Sequence, residues 1–178
     1  MLIPIEGSIY LSRRLKMKLA VMSDSHDNVW KLRQAFPLLK TADAVLHCGD
    51  LSAPFMIREL GEHLPGIPIH LVWGNNDGDR YLISQVAQSY PDVHLHGELA
   101  ELELDGLSVA VNHYPRIAQA LAHSKLYDLV CYGHDHKAHE SWIGECLLLN
   151  PGELMGLKAA SSFAFVDSER RTVEMITL

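Results

Sequence analysis

The sequence predicts an α/β fold, and three observations lead there. Six short aliphatic or β-branched runs each end in a polar cluster: Ser23-Asp24-Ser25-His26, His47-Cys48-Gly49-Asp50, Gly74-Asn75-Asn76-Asp77, Asn112-His113, Gly133-His134-Asp135-His136 and Asn150-Pro151-Gly152. Runs of that length bounded by Gly, Asp and Asn read as buried strands. Between the first runs the apolar spacing becomes three and four, the helical period, and the second half of the chain reads mostly as strand. Ligands of open α/β sheets collect beyond the carboxyl ends of their strands. One site assembled from six strand ends is therefore the economical expectation.

Taken in order, the first strand is Leu19-Ala20-Val21-Met22. A helix is expected over 28–40, where Val29, Leu32, Ala35, Phe36 and Leu39 share a face. Asp27 or Asn28 would cap it, and Pro37 would kink or shorten it. The second strand, Ala44-Val45-Leu46, precedes a short helix over 54–61 with Pro in its first turn and Gly at its end. The third strand, 69–73, is followed by a helix over 79–89 that places Tyr81, Leu82, Val86 and, less regularly, Ile83 on one side. The stretch 93–111 alternates and turns at Gly97 and at Asp105-Gly106, a hairpin signal. Strands follow over 128–132 and 147–149, with a helix near 115–124, and 161–178 gives two strands around Ser168-Glu169-Arg170. There is no internal repeat and no low-complexity segment.

Length and charge exclude several classes. A chain of 178 residues can bury one substantial core and is too short for two ordinary domains. With 22 acidic and 15 basic side chains the net charge is −7, and no basic run is present, so no nucleic-acid polymer is expected as a partner. No stretch approaches the roughly 20 apolar residues of a membrane span, and the residues before Met17 have the wrong order of charge and apolarity for a secretory signal. A cytoplasmic protein is expected. Cys48, Cys131 and Cys146 sit in or beside apolar runs and read as small buried hydrophobes.

Each polar cluster alone has a plain structural explanation. Asp24 and His26 could be a helix cap beside a surface histidine, Gly49-Asp50 and Gly74-Asn75-Asn76-Asp77 ordinary turns, and His113 an isolated core residue. Gly133-His134-Asp135-His136 is the strongest single motif, because two histidines flanking one residue can face two ions or clasp one. The joint pattern decides. Every candidate ligand ends a strand and none lies within one, which independent accidents would not produce.

In that order, Asp24-x-His26, Gly49-Asp50, Gly74-Asn75, His113 and Gly133-His134-x-His136 resemble the signature of the calcineurin-like metallophosphoesterases, in particular their small single-domain phosphodiesterase branch. The resemblance runs over about 17–152. It implies a four-layer αββα sandwich, two mixed β-sheets flanked by helices. It also implies that Asp24, His26, Asp50 and His136 hold one divalent metal ion and that Asp50, Asn75, His113 and His134 hold the other, with Asp50 bridging. Asp50, Asn75, Asn76 and His113 occupy the family's catalytic positions. The implied activity is that of a metal-dependent phosphodiesterase, in which a hydroxide between two ions about 3.5 to 4 Å apart attacks a small phosphodiester. Mixed oxygen and imidazole ligation suits Mn²⁺, Fe²⁺, Ni²⁺, Co²⁺ or Zn²⁺ over Mg²⁺ or Ca²⁺, with Mn²⁺ favoured by family analogy. In sequences of this type the first strand begins near Met17, so 1–16 reads as an N-terminal extension or a misassigned start and 17–178 as a single domain.

The chain departs from the family pattern in three places. Many relatives carry a histidine where Asn76 stands, and an amide cannot act as a general acid. Tyr114 replaces the usual Gly after His113, and Glu153 replaces a Ser after Asn150-Pro151-Gly152. A ring and a carboxylate near the phosphate pocket would restrict what fits. Asp77 is a candidate for orienting a ligand histidine, Arg116 for pairing with phosphate oxygens, and His47 reads as a supporting or core residue. Two other readings stand beside the phosphodiesterase: a non-catalytic scaffold or adaptor of the same fold, and a phosphomonoesterase. The intact bridging position, Asp50, favours a small phosphorylated substrate over the scaffold. Homo-oligomerisation is open on sequence alone.

Overall fold

A computed structural model describes residues 16–178. Apart from Lys16, which pairs with Asp167 at 3.1 Å, the expected extension 1–16 lies outside the described residues. In chain order the elements are β1 (Lys18–Met22), α1 (Val29–Leu39), β2 (Ala44–His47), α2 (Pro54–His63), β3 (Ile69–Leu71), α3 (Arg80–Ala87), β4 (Val93–Leu95), β5 (Leu99–Leu104), β6 (Leu107–Asn112), α4 (Pro115–His123), β7 (Leu129–Cys131), β8 (His139–Ile143), β9 (Cys146–Asn150), β10 (Ser162–Asp167) and β11 (Thr172–Thr177).

The strands form two mixed sheets, one in the order β11-β10-β1-β2-β3-β4 and the other β5-β6-β7-β9-β8. In the first, β1 to β4 are parallel and β10 and β11 antiparallel. In the second, β6, β7 and β9 are parallel between antiparallel edges β5 and β8. Alternation along each strand divides the core. On β1, Ala20 and Met22 pack with Leu32, Phe36, Ile57 and Ile83 of the three helices on that side. Leu19 and Val21 face Val109, Val111, Leu147 and Leu149 of the second sheet. Ala110, Val130 and Leu148 turn outward onto Ala118 and Ala122 of α4. The result is the implied sandwich of helices, sheet, sheet and helix. Period-2 strands buried on both faces leave no polar position until the strand ends, which is why the polar clusters fall there.

Several local expectations are corrected. Helix α1 runs through Pro37 without stopping, because Pro37 lies on the exposed face; Asn28, not Asp27, caps it by accepting from the Lys31 N–H at 3.2 Å. Helix α2 continues two residues beyond Gly61, which is not a cap: the Tyr90 ring fills the space its Cβ would take. On α3 the buried residues are Ile83 and Ala87 with Val86 beside them, whereas Tyr81 and Leu82 are exposed. The Asp79 carboxylate accepts from the Leu82 N–H and sets the helical register, and 83, 86 and 87 form one stripe from which 81 and 82 are turned away. Asp105-Gly106 is a hairpin turn with both residues at positive φ, but Gly97 carries the chain from one sheet to the other. Strand β8 had no expectation; its exposed, polar residues give weak periodicity, and it exists by pairing with buried β9.

Candidate metal centre

The parallel strands of both sheets deliver their carboxyl ends to one region. The loops after β1 and β2 are zipped together: the Asp24, His26 and Asp27 N–H groups donate to the carbonyls of Gly49, Asp50 and Leu51 at 3.1, 3.0 and 3.2 Å. The loop after β7 joins them, since the His134 N–H donates to Asp24 Oδ2 at 3.0 Å. Asp24, His26, Asp50, His134 and His136 all adopt positive φ. Such backbone costs of order 1–3 kcal/mol per residue and persists only where surrounding structure over-determines it. Close approach enforces it further. Gly49, at φ 95°, has no room for a Cβ, which would meet the Gly74 backbone at 2.7 Å and His113 Nδ1 at 2.9 Å.

These loops bring together all seven residues to which the resemblance assigns a metal. His26 Nε2 and His136 Nε2 lie 3.6 and 3.4 Å from Asp24 Oδ1. Asp50 Oδ2 is 3.5 Å from His26 Nε2 and 3.4 Å from His113 Nε2, so one carboxylate oxygen stands between the two groups. On the far side, Asn75 Oδ1 lies 3.1 Å from His113 Nε2 and 2.8 Å from His134 Nδ1. Donors held about 2.1 Å from one ion are separated by roughly 3.0 to 3.4 Å, and these spacings lie within about 0.2 Å of that range. Asp24 Oδ1 and His26 Nε2 are buried without any hydrogen-bond partner. Buried polar atoms are rarely left so, and a bound cation would satisfy both. Asp24, His26 and His136 form one group that could hold an ion, and Asp24, Asp50 and His113 form another.

The ring orientations are fixed from behind. His113 Nδ1–H donates to the Cys48 carbonyl at 2.8 Å, leaving Nε2 as the ligating atom. His136 Nδ1–H donates to Glu153 Oε2 at 2.5 Å, which turns its Nε2 toward Asp24. Burial pushes the Asp50 carboxyl up, but the His113 ring 3.4 Å away and the hydrogen bonds donated by Asn76 outweigh it and hold Asp50 well below the usual carboxylate range. Burial pushes the Asp24 carboxyl up as well, but the His26 ring 3.6 Å away, with Ser23, His113 and the His134 N–H, outweighs it and leaves the pKa lowered. The nearby Asp24 carboxylate in turn raises His26, against its burial. The two lowered carboxyls make this an anionic pocket, chemically suited to a cation.

Of the remaining candidates, Glu153 and Asp77 are placed differently from expectation. Glu153 is not on the substrate side. It is fully buried behind His136, and it also accepts from the N–H groups of Lys158 and Ala159. Asp77 orients no histidine; its carboxylate accepts from the backbone N–H groups of Gly74, Ser52 and Asp50 at 2.6, 2.9 and 3.2 Å, tying the β2 and β3 loops together. The amide of Asn76 and its backbone N–H both donate to Asp50, at 2.8 and 2.7 Å. Tyr114 stands edge-on to His113 and His134. Arg116 is exposed in the first turn of α4.

Two supporting residues carried little sequence signal. His47 is buried, its Nδ1 accepting from the Gly49 N–H at 3.2 Å and its Nε2 bonded to Ser25 Oγ at 3.1 Å, so it spans the first two loops. Asn150 donates to the Gly133 carbonyl and to Asp135, clamping the loop that carries His134 and His136. Its place at the end of the sixth run was the only hint. A cavity of about 670 Å³ opens at the opposite, amino-terminal ends of β6, β7 and β9; of its two carboxylates, Asp128 and Glu145, the first is already engaged by the Ser108 N–H and Arg171.

A model of the calcineurin-like phosphoesterase superfamily domain matches residues 17–171. A phosphodiesterase of Methanocaldococcus jannaschii is 30% identical over 167 residues, covering 91% of this chain and 99% of that protein. A solved structure of an archaeal phosphodiesterase superposes with a TM-score of 0.84 at 30% identity, over 91% of this chain and 100% of the other. A phosphoesterase-like protein from Streptococcus pneumoniae, at 22% identity and a TM-score of 0.65, shares the fold over 92% of this chain and 90% of its own. The buried His and Asp groups are consistent with a metal site, and among the described residues no helix is long and apolar enough to cross a membrane.

Proposed function

The chain belongs to the calcineurin-like phosphoesterase superfamily, and from that premise we propose that it is a dinuclear metal-dependent phosphodiesterase acting on a small phosphodiester. One observation carries the proposal: a single oxygen of Asp50 lies within 3.5 Å of a nitrogen from each of two ligand groups. Asp24, His26, Asp50 and His136 would hold one ion, and Asp50, Asn75, His113 and His134 the other. When bound, the pair supplies Lewis acidity at the phosphate and lowers the pKa of water between them. Mn²⁺ is the ion expected to support turnover best, with Fe²⁺, Ni²⁺, Co²⁺ and Zn²⁺ compatible with the same donors.

The chain's own residues orient the reaction. Asn76 aims two N–H donors at Asp50 and thereby fixes the shared carboxylate. Asn75 and His134 are exposed, so the second ligand group faces the side from which a phosphate approaches, with Tyr114 against both histidines there. No acid stands at position 76 to protonate a departing alkoxide. Esters with acidic leaving groups are therefore the better substrates, and equal rates on alkyl and nitrophenyl diesters would argue against this. Residues 17–178 form the catalytic domain on this proposal, in the cytoplasm. A native product whose intact mass begins at Met17 would exclude a functional extension.

The test is hydrolysis of bis(p-nitrophenyl) phosphate against p-nitrophenyl phosphate, by metal-stripped protein and with each ion restored. Diester cleavage that depends on metal and falls by about a thousandfold in Asp50→Asn, some 4 kcal/mol of barrier, supports the proposal. Preference for the monoester would point to a phosphomonoesterase. Two ions bound without turnover on either ester would favour the scaffold.

A further inference from the structure

Three histidines outside the metal centre meet at the edge of the first sheet. His94 and His96 are one residue apart on and just beyond β4, so their side chains leave the same face. His70 on β3 is the cross-strand partner of His94. His96 continues the ladder, its N–H donating to the Leu71 carbonyl at 2.9 Å. The alternating neighbours Ile69, Leu71 and Val93 point to the helices, which leaves the three imidazoles together on the opposite face. His70 Nδ1 lies 2.9 Å from His96 Nε2, and the His70 ring is stacked on His94 with centroids 5.2 Å apart. His94 is exposed, while His70 and His96 are half-buried.

The charge environment is unlike that of the metal centre. After burial, the groups that lower the proton affinity of His70 are His96 and His94, and together they bring it to about 4. Burial and then His94 lower His96 as well. Both rings are thus neutral at neutral pH and offer lone pairs, the form in which imidazole ligates a metal.

We propose that His70, His94 and His96 form a third metal site, distinct from the dinuclear centre and specific for one imidazole-preferring divalent cation such as Zn²⁺, Ni²⁺ or Cu²⁺. His70 Nδ1 and His96 Nε2 share an N–H···N hydrogen bond of 2.9 Å, and parting by a few tenths of an ångström would let both hold one ion at about 2.1 Å in place of that proton. The exposed His94 supplies the third nitrogen by turning about its side-chain torsions. All-nitrogen ligation without a carboxylate selects against Mg²⁺, Ca²⁺ and Mn²⁺, so the two sites sort different ions. An ion here would tie the edge strand β4 to β3, whose following loop carries Asn75.

The experiment titrates the metal-stripped full chain with Zn²⁺ and with Co²⁺ as a spectroscopic probe. In the Asp24→Asn, Asp50→Asn double variant, which disables the dinuclear centre, one equivalent is expected to remain, with the visible absorption of a nitrogen-rich, four-coordinate Co²⁺. Adding His94→Gln should weaken that equivalent by about tenfold or more, and adding His70→Gln and His96→Gln should remove it. No ion retained at micromolar concentrations, or one retained with unchanged affinity in His94→Gln, overturns the proposal. Because His94 is exposed, that single variant decides the matter if the multiple variants fail to fold. Titrations of the Asp24→Asn, Asp50→Asn protein do not depend on the phosphodiesterase assignment, so the two proposals fail separately.

Discussion

Around Asp24 the ligating atoms are buried and His136 is fixed from behind, whereas around Asn75 two ligands, Asn75 and His134, lie at the surface and bond each other and the buried His113. His136 is backed by Glu153, itself held by two backbone N–H groups, and Asp24 Oδ1 and His26 Nε2 are left without partners. On the other side Asn75 Oδ1 already sits against His113 and His134, and both Asn75 and His134 are exposed. The buried half is preorganised at the expense of unsatisfied atoms and strained backbone; the open half satisfies itself. Tight ion binding is expected in the first and weaker, exchangeable binding in the second.

The sharpest test of that contrast removes one ligand from each half. Asp24→Asn should abolish binding of the tighter ion and lower turnover by about a thousandfold, roughly 4 kcal/mol. Asn75→Ala should release only the weaker ion and keep one equivalent by elemental analysis. The reverse stoichiometry would invert the assignment of deep and open halves. A smaller effect is expected from Glu153→Gln, which leaves every ligand in place. Losing such support behind a ligand histidine costs about 10- to 100-fold in metal affinity, and it should fall on the tighter ion alone. Equal losses at both ions would mean that Glu153 supports the fold and not His136.

Acid should loosen the buried half through His47. Burial holds its folded-state pKa down to about 4, with Asp77, Asp24 and Asp50 opposing, while the unfolded chain titrates near 6.5. Below about pH 6.5 the unfolded chain takes up a proton that the folded one refuses. The stability tied to His47 is thus complete above that pH and lost as pH falls toward 4, amounting to about 2 kcal/mol between pH 7 and pH 5. Denaturant midpoints across that range should fall more steeply in the wild type than in His47→Asn, and parallel profiles would refute the account. The smallest effect is expected at Arg116, which is exposed: Arg116→Ala should change kcat/KM on the diester by less than about twofold. A larger loss would place a substrate phosphate beside α4 and extend the open half in that direction.

Legibility in the sequence followed the same division. Candidate ligands and strand ends coincide, so Asp24, His26, Asp50, Asn75, His113, His134 and His136 stand out in five of the six motifs, and the fold brings their side chains together. Residues that act from behind could not. Glu153 was expected to limit the substrate because its partner, His136, is 17 residues away, and nothing local marks that contact. Asp77 was taken for a support of a histidine, yet it serves backbone N–H groups on two loops. On α3 a stripe of large apolar residues was misread, since Tyr81 and Leu82 are apolar without being buried.

By itself the sequence determined the alternation of strand and helix, the polar strand ends and the set of candidate ligands, because strand burial and metal preference are set by residue type and short spacing. Only the tertiary structure decided which oxygen stands between the two ligand groups, which histidine nitrogens are free, what holds them from behind, and that His70, His94 and His96 share one face. Those depend on cross-strand register and on loops meeting across two sheets, contacts between residues far apart in the chain, to which local spacing is blind.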